Sequence, residues 1–409
     1  MKKLLCTVLS TVLAMSSAAA LNMSAYADSA NTQQVSYNYW YNSSTGYTDE
    51  NAHTRQMEKL DRGLIAIKTD GGVYLSWRLF DSEDNIFGSA DKNVSFNVYR
   101  DGKKISEVAT KTNYVDSTVG TNYSVAPVIN GVEGEKCNPV TVYNNSYFDI
   151  PLLKPDDETI YDPSGNELAT YSFFPADCST GDVDGDGEYE IIVKWTSSEH
   201  DVGSPGDPAY SGTIHLAAYK LDGTKLWKND IALGKNVYSS AHTVQFLVYD
   251  FDGDGKSEVM CQTSLGSKDG QGKYVSNAAQ TDEEIKAITD EENSTADYRG
   301  YGRITEGKEF LTVFNGETGV AMDTINLPTT RGSENGVDYG DDFGNRSNRF
   351  VSDIAYLDGE KPYAIYLRGY YFGRNGKQRT SIAGISWDGT ALSPTYRFDT
   401  QKGQEGYYD

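Results

Sequence analysis

Apolar residues in this chain come in short runs separated by turns rich in Gly, Asp and Asn. Val73-Tyr74-Leu75-Ser76-Trp77 alternates as a half-buried strand does, with successive side chains on opposite faces. Phe96-Asn97-Val98-Tyr99-Arg100 alternates in the same way and runs into Asp101-Gly102, a hairpin turn signal. Tyr114, Tyr123-Ser124-Val125 and Val140-Thr141-Val142 supply further short strands. Turn signals recurring at roughly 8–12-residue spacing predict a small β-sandwich over residues 57–147. The preceding stretch, 28–56, is polar, rich in Tyr, Asn and Ser around its first half, and reads as a flexible lead-in.

The pattern changes near Pro151, where an internal repeat begins. Gly181-Asp182-Val183-Asp184-Gly185-Asp186-Gly187-Glu188-Tyr189-Glu190 runs into the apolar Ile191-Ile192-Val193-Lys194-Trp195. Tyr249-Asp250-Phe251-Asp252-Gly253-Asp254-Gly255-Lys256-Ser257-Glu258 runs into Val259-Met260-Cys261. A degraded third copy, Asp353 to Gly359, precedes Tyr363-Ala364-Ile365-Tyr366-Leu367. A strand–turn–strand unit follows each copy, with turns at Asp222-Gly223, Asn315-Gly316 and Asp388-Gly389. One acidic unit plus one turn unit makes four strands, the content of one propeller blade. The expected fold is therefore all-β, a β-sandwich followed by propeller blades over residues 151–409. Between copies two and three, residues 266–307 form a polar, acidic insertion, expected as a surface loop with a short helix over 282–289. Three blades fall short of the typical four to eight, so the chain is expected to be the N-terminal part of a longer protein or a propeller that cannot close by itself.

Composition agrees with this picture: 40 Gly, 30 Tyr and 12 % aromatic residues suit short strands and tight turns better than packed helices. Lys2 and Lys3, the apolar stretch Leu4 to Leu21 and the Ala25-Tyr26-Ala27 site read as a secretory signal cleaved after Ala27. No later segment is apolar over the roughly 20 residues of a membrane span. The mature protein is expected to be exported, extracellular and monomeric. A formal net charge of −23 argues against nucleic acid as a partner, because phosphate binding needs a basic surface. Cys137, Cys178 and Cys261 remain after the signal, an odd number that leaves room for one disulfide. They read as buried small hydrophobes rather than reactive thiols.

The acidic repeats carry the sharpest chemistry. Asp182, Asp184 and Asp186 stand at positions 1, 3 and 5 of a Gly-bent loop, with Glu190 at position 9. Asp250, Asp252, Asp254 and Glu258 repeat the spacing. Alternate carboxylates on such a loop converge, and hard oxygen ligands suit Ca²⁺. The backbone carbonyls of Glu188 and Lys256 are candidates to add to them. An EF-hand would need a Glu at position 12, where this chain has Val193 and Cys261. The loops resemble the calcium loops of integrin-type propellers instead. The plain alternative is a solvated turn of like charges, which two near-identical copies opening strands argue against.

Several stretches together resemble the rhamnogalacturonan endolyases of polysaccharide lyase family 11. They are Gly72 to Arg78, both acidic loops, Tyr219 to Thr224, Ala241 to Phe246, Arg331-Gly332, Gly344-Asn345-Arg346, Arg349-Phe350 and Arg368-Gly369-Tyr370-Tyr371. The resemblance extends from about Met57 to the end. The Leu75-Ser76-Trp77 and Tyr99 to Lys103 segments also look like a fibronectin type III module. The family resemblance implies an N-terminal β domain, an eight-bladed calcium-binding propeller and a cleft at its axis. It also implies β-elimination at galacturonate in rhamnogalacturonan I, a pectic polysaccharide. Such a site must neutralise the uronate carboxylate, stabilise an enolate-like intermediate and supply a base. The catalytic candidates are then Lys194, Arg331 and Arg368 as cations and His242 as base or donor. Arg346 and Arg349 are candidate carboxylate clamps, and Tyr370 and Tyr371 candidate stacking partners for sugar rings. Bland roles stand beside each: Lys194 and Arg368 leaving a strand end towards solvent, Arg346 and Arg349 in salt bridges to Asp341 and Asp342. The competing class is a non-catalytic, calcium-stabilised propeller that binds glycan or protein.

Overall fold

A computed structural model describes residues 56–80, 83, 93–109, 111–161, 165–197, 212–234, 237, 243–275, 299–300, 303–304, 307–332, 334–341, 344–371, 379–400 and 406–407. The architecture is all-β: the described elements are strands and short 3₁₀ turns. The expected signal, the helix over 282–289 and most of the insertion around it lie outside the described residues. The chain divides into two compact units, one containing Arg62–Ser146, the other His53–Asp61 and Tyr147–Asp409.

The first unit holds eight strands. They are β1 (Ile65–Thr69), β2 (Gly72–Ser76), β3 (Val94–Arg100), β4 (Lys103–Ala109), β5 (Asn113–Asp116), β6 (Asn122–Ile129), β7 (Val132–Glu133) and β8 (Val140–Thr141). One sheet has the order β1-β2-β5, the other β4-β3-β6-β7 with β8 also on β6, and every pairing is antiparallel. The alternating strands place Ala66, Val73, Leu75 and Trp77 from the first sheet against Phe96, Val98, Val108, Tyr123 and Val125 from the second in one buried core. The β3–β4 turn is the one the sequence predicts: Asp101 (φ 49°) and Gly102 (φ 77°) both take positive φ, as a type I′ hairpin needs. Tyr123 near the start of β6 donates to Thr118 O at 3.0 Å and accepts from Gly120 N at 2.9 Å. Its ring thereby ties the β5–β6 corner to the core.

The second unit opens with the hairpin β9 (Glu158–Tyr161) and β10 (Glu167–Tyr171). Three antiparallel meanders follow. The first is β11 (Phe174–Gly181), β12 (Glu190–Thr196), β13 (His215–Tyr219) and β14 (Ile231–Ala232). The second starts with β15 (Phe246–Tyr249) and β16 (Glu258–Ser264). A small hairpin, β17 (Arg299–Gly300) and β18 (Arg303–Ile304), precedes its last strands, β19 (Glu309–Phe314) and β20 (Ala321–Asn326). The third is β21 (Phe350–Ala355), β22 (Tyr363–Arg368), β23 (Ser381–Trp387) and β24 (Leu392–Asp399), with β25 (Gly406–Tyr407) added beyond.

Sheet two is buried on both faces, and every residue of β16 is buried. Its Val259 and Cys261 pack with Ile192, Leu216 and Ala218 of the first sheet. The residue between them, Met260, packs with Ala364, Tyr366 and Ala383 of the third. The period of two along one strand thus joins three sheets into a stack. Hydrogen bonds cross the same interfaces: Trp227 Nε1 to Gly316 O at 2.8 Å and Tyr366 Oη to Met260 O at 2.8 Å.

Strand reversal sorts the connections. In each meander the first and third turns share one end, and the second turn and the crossover to the next sheet share the other. The acidic loops Asp182 to Tyr189 and Asp250 to Ser257 are first turns. Residues 56–61 belong to this end rather than to the β-sandwich that the sequence starts at Met57. Gln56 N donates to Glu360 O at 2.7 Å, Gln56 Nε2 to Phe251 O at 2.9 Å, and Tyr356 Oη to Gln56 O at 2.6 Å.

Candidate functional site

The two acidic loops are built alike. Asp182 Oδ1 accepts from Gly185 N (2.7 Å) and its Oδ2 from Gly187 N (2.9 Å). Asp250 does the same with Gly253 N (2.7 Å) and Gly255 N (3.0 Å). Gly185 and Gly253 both have φ 81°, and Gly187 and Gly255 both have φ 91°, conformations L side chains rarely adopt. Glu190 Oε2 accepts from Val183 N (3.0 Å), as Glu258 Oε2 does from Phe251 N (2.9 Å). These bonds hold the carboxylates together: ligand atoms of Asp182, Asp184 and Glu190 lie within 4.8 Å of one another, and so do those of Asp250, Asp252 and Asp254.

Burial and mutual repulsion make these loops cation-hungry. Burial first, then the neighbouring aspartates, push Glu258 up to about 9 and Glu190 up to about 7. Lys220 partly compensates loop one, with Nζ 2.6 Å from Asp184 and 3.0 Å from Asp186. In loop two Lys256 turns away to Glu317 at 2.6 Å. An all-oxygen donor set with excess negative charge fits a hard divalent cation. Asp186 and the exposed Glu188 stand outside the first triad, and Glu258 and Lys256 outside the second. The third copy lacks two of the acidic residues of the first two. By its place between β21 and β22, Tyr356 stands where Asp182 and Asp250 stand, and Tyr363 where Glu190 and Glu258 stand. Its Asp358 is satisfied by Glu360 N, Lys361 N (both 2.8 Å) and Tyr363 Oη (2.9 Å).

The opposite end of the stack gathers cations. Glu309, at the start of β19, accepts from Arg331 Nη2 at 2.6 Å and from Arg368 Nη1 at 2.7 Å. Gln262 Nε2 adds a bond at 3.3 Å. Arg368 is fully buried, donates to Ser347 O and to Thr329 O (3.0 Å), and lies 4.8 Å from the Phe350 ring. Arg331 is only 7 % exposed. Burial raises Glu309, but the attraction of Arg368 and Arg331 and their hydrogen bonds outweigh it and hold the carboxyl below the ordinary range.

Lys194 is also fully buried, and burial lowers its pKa. Its Nζ donates to Thr243 O (3.4 Å) and Val244 O (3.3 Å) and lies 3.7 Å from Asp177. Val244 has φ 49°, a costly conformation for a β-branched residue. The buried ammonium therefore clamps the turn that leads into β15.

A second group at this end is only partly open to solvent. Phe350 pairs with Arg368 at the end of the β21–β22 ladder, and Gly369 N then donates to Arg349 O at 3.2 Å. The segments 346–349 and 369–371 thus leave the sheet side by side. Tyr370 and Tyr371, each 44 % exposed, stack with ring centroids 4.7 Å apart. The guanidinium carbons of Arg346 and Arg349 lie 5.9 and 6.0 Å from the Tyr371 ring.

The family described as "Rhamnogalacturonan lyase family 11, C-terminal domain" matches residues 147–409. The chain belongs to rhamnogalacturonan lyase family 11. The "Rhamnogalacturonan I lyases beta-sheet domain" matches residues 55–143. Rhamnogalacturonan endolyase YesW of Bacillus subtilis (strain 168) is 43 % identical over 358 residues, covering 86 % of this chain and 51 % of the relative. Rhamnogalacturonan exolyase YesX of the same organism is 40 % identical over 360 residues, covering 86 % and 52 %. The crystal structure of rhamnogalacturonan lyase YesW superposes with a TM-score of 0.69 at 42 % identity, covering 86 % of this chain and 54 % of that one. Bacillus licheniformis Rhamnogalacturonan Lyase PL11 gives 0.69 and 42 %, covering 86 % and 55 %. The chain spans about half the length of the curated relatives it matches.

Within this family-11 chain the structure separates the sequence candidates. Tyr370 and Tyr371 come together at the surface, with Arg346 half-buried and Arg349 buried beside them. Arg331 and Arg368 do not reach it: both are buried inside the sheet stack and share Glu309. Lys194 and Arg368 do not leave their strand ends towards solvent either, because the adjoining turns fold back over them. His242 lies outside the described residues. Sequence reasoning missed Glu309 and Lys220. A charged residue opening an apolar strand is the one signal that marks Glu309. The three cysteines are free; Cys261 is buried, Cys137 half-buried and, against expectation, Cys178 exposed because its face of the outermost strand β11 is uncovered.

Proposed function

We propose that this chain forms part of a secreted rhamnogalacturonan lyase that cleaves the rhamnose–galacturonate backbone of pectin by β-elimination. What carries this reading is membership of the family, with Arg346 and Arg349 beside the exposed Tyr370–Tyr371 pair as a local group of cations in a chain of net charge −23. An anionic polymer needs such a local reversal of sign. Elimination requires a base to take the C5 proton while the adjacent carboxylate is neutralised and the bond from C4 to its oxygen breaks. Arg346, half-buried, and Arg349, buried beside it, are the cations proposed for that carboxylate; Glu309, Arg331 and Arg368 hold neighbouring strand ends.

The three meanders are proposed as blades of a propeller, and their stacking through two-faced strands supports this. The 1-2-5 and 4-3-6-7 strand division and the Tyr123 corner support a fibronectin III-like first unit. Ca²⁺ is proposed for the Asp182 and Asp250 loops, where it would neutralise the carboxylates and stiffen turns remote from the Tyr370–Tyr371 pair. Export is proposed from the Lys2 to Ala27 leader. Relatives of endo and exo action stand at 43 and 40 % identity, so the proposal covers the elimination chemistry rather than either mode.

The test is ultraviolet absorbance during incubation with rhamnogalacturonan I, with Ca²⁺ and then with a chelator. Elimination leaves a carbon–carbon double bond conjugated to the uronate carboxyl, and hydrolysis does not. A calcium-dependent rise is expected. A flat trace with retained polymer binding would favour the binding-module reading, which the burial of Lys194, Arg331 and Arg368 supports.

A further inference from the structure

The two acidic loops share a backbone geometry but differ by one neighbouring charge. Ile191 pairs with Tyr219 in the first sheet, and Val259 with Phe314 in the second. One step beyond these pairs, Lys220 stands opposite Glu190 and Asn315 stands opposite Glu258. Equivalent positions thus carry an ammonium in one sheet and a neutral amide in the other.

Both side chains are committed. Lys220 Nζ lies 2.6 Å from Asp184, 3.0 Å from Asp186 and 3.9 Å from Glu190. The turn holds its backbone in place: Lys220 N donates to Thr224 O and Gly223 N to Lys220 O, each at 2.9 Å. Asn315 turns to its own loop instead, where its Oδ1 accepts from Thr318 N at 2.9 Å and from Thr318 Oγ1 at 2.7 Å. Among the described residues, no basic side chain comes within 4.0 Å of the carboxylates of Asp250, Asp252, Asp254 or Glu258. The carboxylates are arranged accordingly. Asp254 belongs to the second triad, whereas its counterpart Asp186 stands outside the first and bonds Lys220. An ammonium and a divalent ion repel each other and want the same oxygens. The Lys220 side chain is 34 % exposed, so it has a path into water when an ion takes its place.

We infer that Lys220 is a tethered competitor for the cation of loop one, which makes loop two the tighter divalent-cation site and loop one the weaker, self-compensated one. This rests on the calcium reading above and goes beyond it. Loop one keeps its shape at cation concentrations that leave it empty, because the ammonium offsets its carboxylates. Loop two has no such substitute. The loops meet where Ser257 N donates to Asp182 O at 2.7 Å, so an ion in loop two also braces the empty loop one.

The experiment is calorimetric titration of the chelator-treated chain with CaCl₂, with thermal melting of every variant in chelator and in Ca²⁺. Asp184→Asn and Asp252→Asn assign the binding heats to loop one and loop two. The wild-type chain is expected to fill loop two about tenfold more tightly than loop one, or better. Lys220→Asn is expected to tighten loop one about tenfold and to lower the melting temperature in chelator but not in Ca²⁺. The reciprocal Asn315→Lys is expected to weaken loop two by a similar factor. Equal affinities in the wild type, or folded exchange variants that keep wild-type affinity at both loops, would overturn the inference and leave the calcium reading intact. No heat and no melting shift with Ca²⁺ would sink both.

Discussion

Glu258 and Glu309 are the first residues of β16 and β19, neighbouring antiparallel strands of one sheet. Antiparallel pairing puts them at opposite ends, and both side chains are buried. Burial raises both carboxyls, yet Glu258 is pushed up to about 9 while Glu309 ends below the ordinary range. The neighbours decide: three aspartates surround the first, two arginines the second. The acidic end thus gathers like charges, whereas at the basic end a buried carboxylate faces opposite charges.

The largest test of this contrast is Arg368→Met. It leaves Glu309 buried with one partner fewer, and the expected loss is about 3–5 kcal/mol in chemical denaturation. Adding Glu309→Gln is expected to recover part of that loss. A double variant no more stable than the single one would break the contrast, since Glu309 would then not be held by charge.

Removing the cation is the next test. Calcium at a hundredfold excess over its dissociation constant is expected to add about 2.7 kcal/mol. In chelator, Glu258 keeps its proton in the folded state, so its contribution is intact below the unfolded value of 4.5 and is lost as pH rises towards about 9. Glu309 runs the other way: its contribution is present above the unfolded value of 4.5 and is lost as pH falls through its lowered folded value. Glu258→Gln should flatten the alkaline side of the chelated profile and leave the acid side unchanged. Denaturation midpoints across pH, with and without chelator, check both limbs.

The smallest expected effect sharpens the comparison among the loops themselves. Asp358→Asn should cost about 1 kcal/mol or less and leave the calcium increment unaltered. A lost increment would mean that the third loop takes a cation despite Tyr356 and Tyr363.

Much of the acidic end was legible in the sequence because its geometry is local. Aspartates at alternate positions, and glycines free to take positive φ, lie within one loop, and two copies of the pattern gave matching φ values. The same locality exposed the Asp101-Gly102 hairpin. Lys220 was not legible, since it reaches loop one from the end of β13.

The basic end was legible only as a set of residue types. Arg331, Arg368, Arg346 and Arg349 looked alike as isolated arginines. Register and stacking separated them: β19 carries Glu309 to the first two, while the Arg349–Gly369 bond draws the others out beside Tyr370 and Tyr371. The sequence alone determined the all-β class, the repeat and the two acidic loops, because backbone period and loop spacing act over a few residues. Only the tertiary structure decided which arginines share the buried Glu309 and which lie beside the exposed tyrosines, because charge pairing depends on distances between strands far apart in the chain.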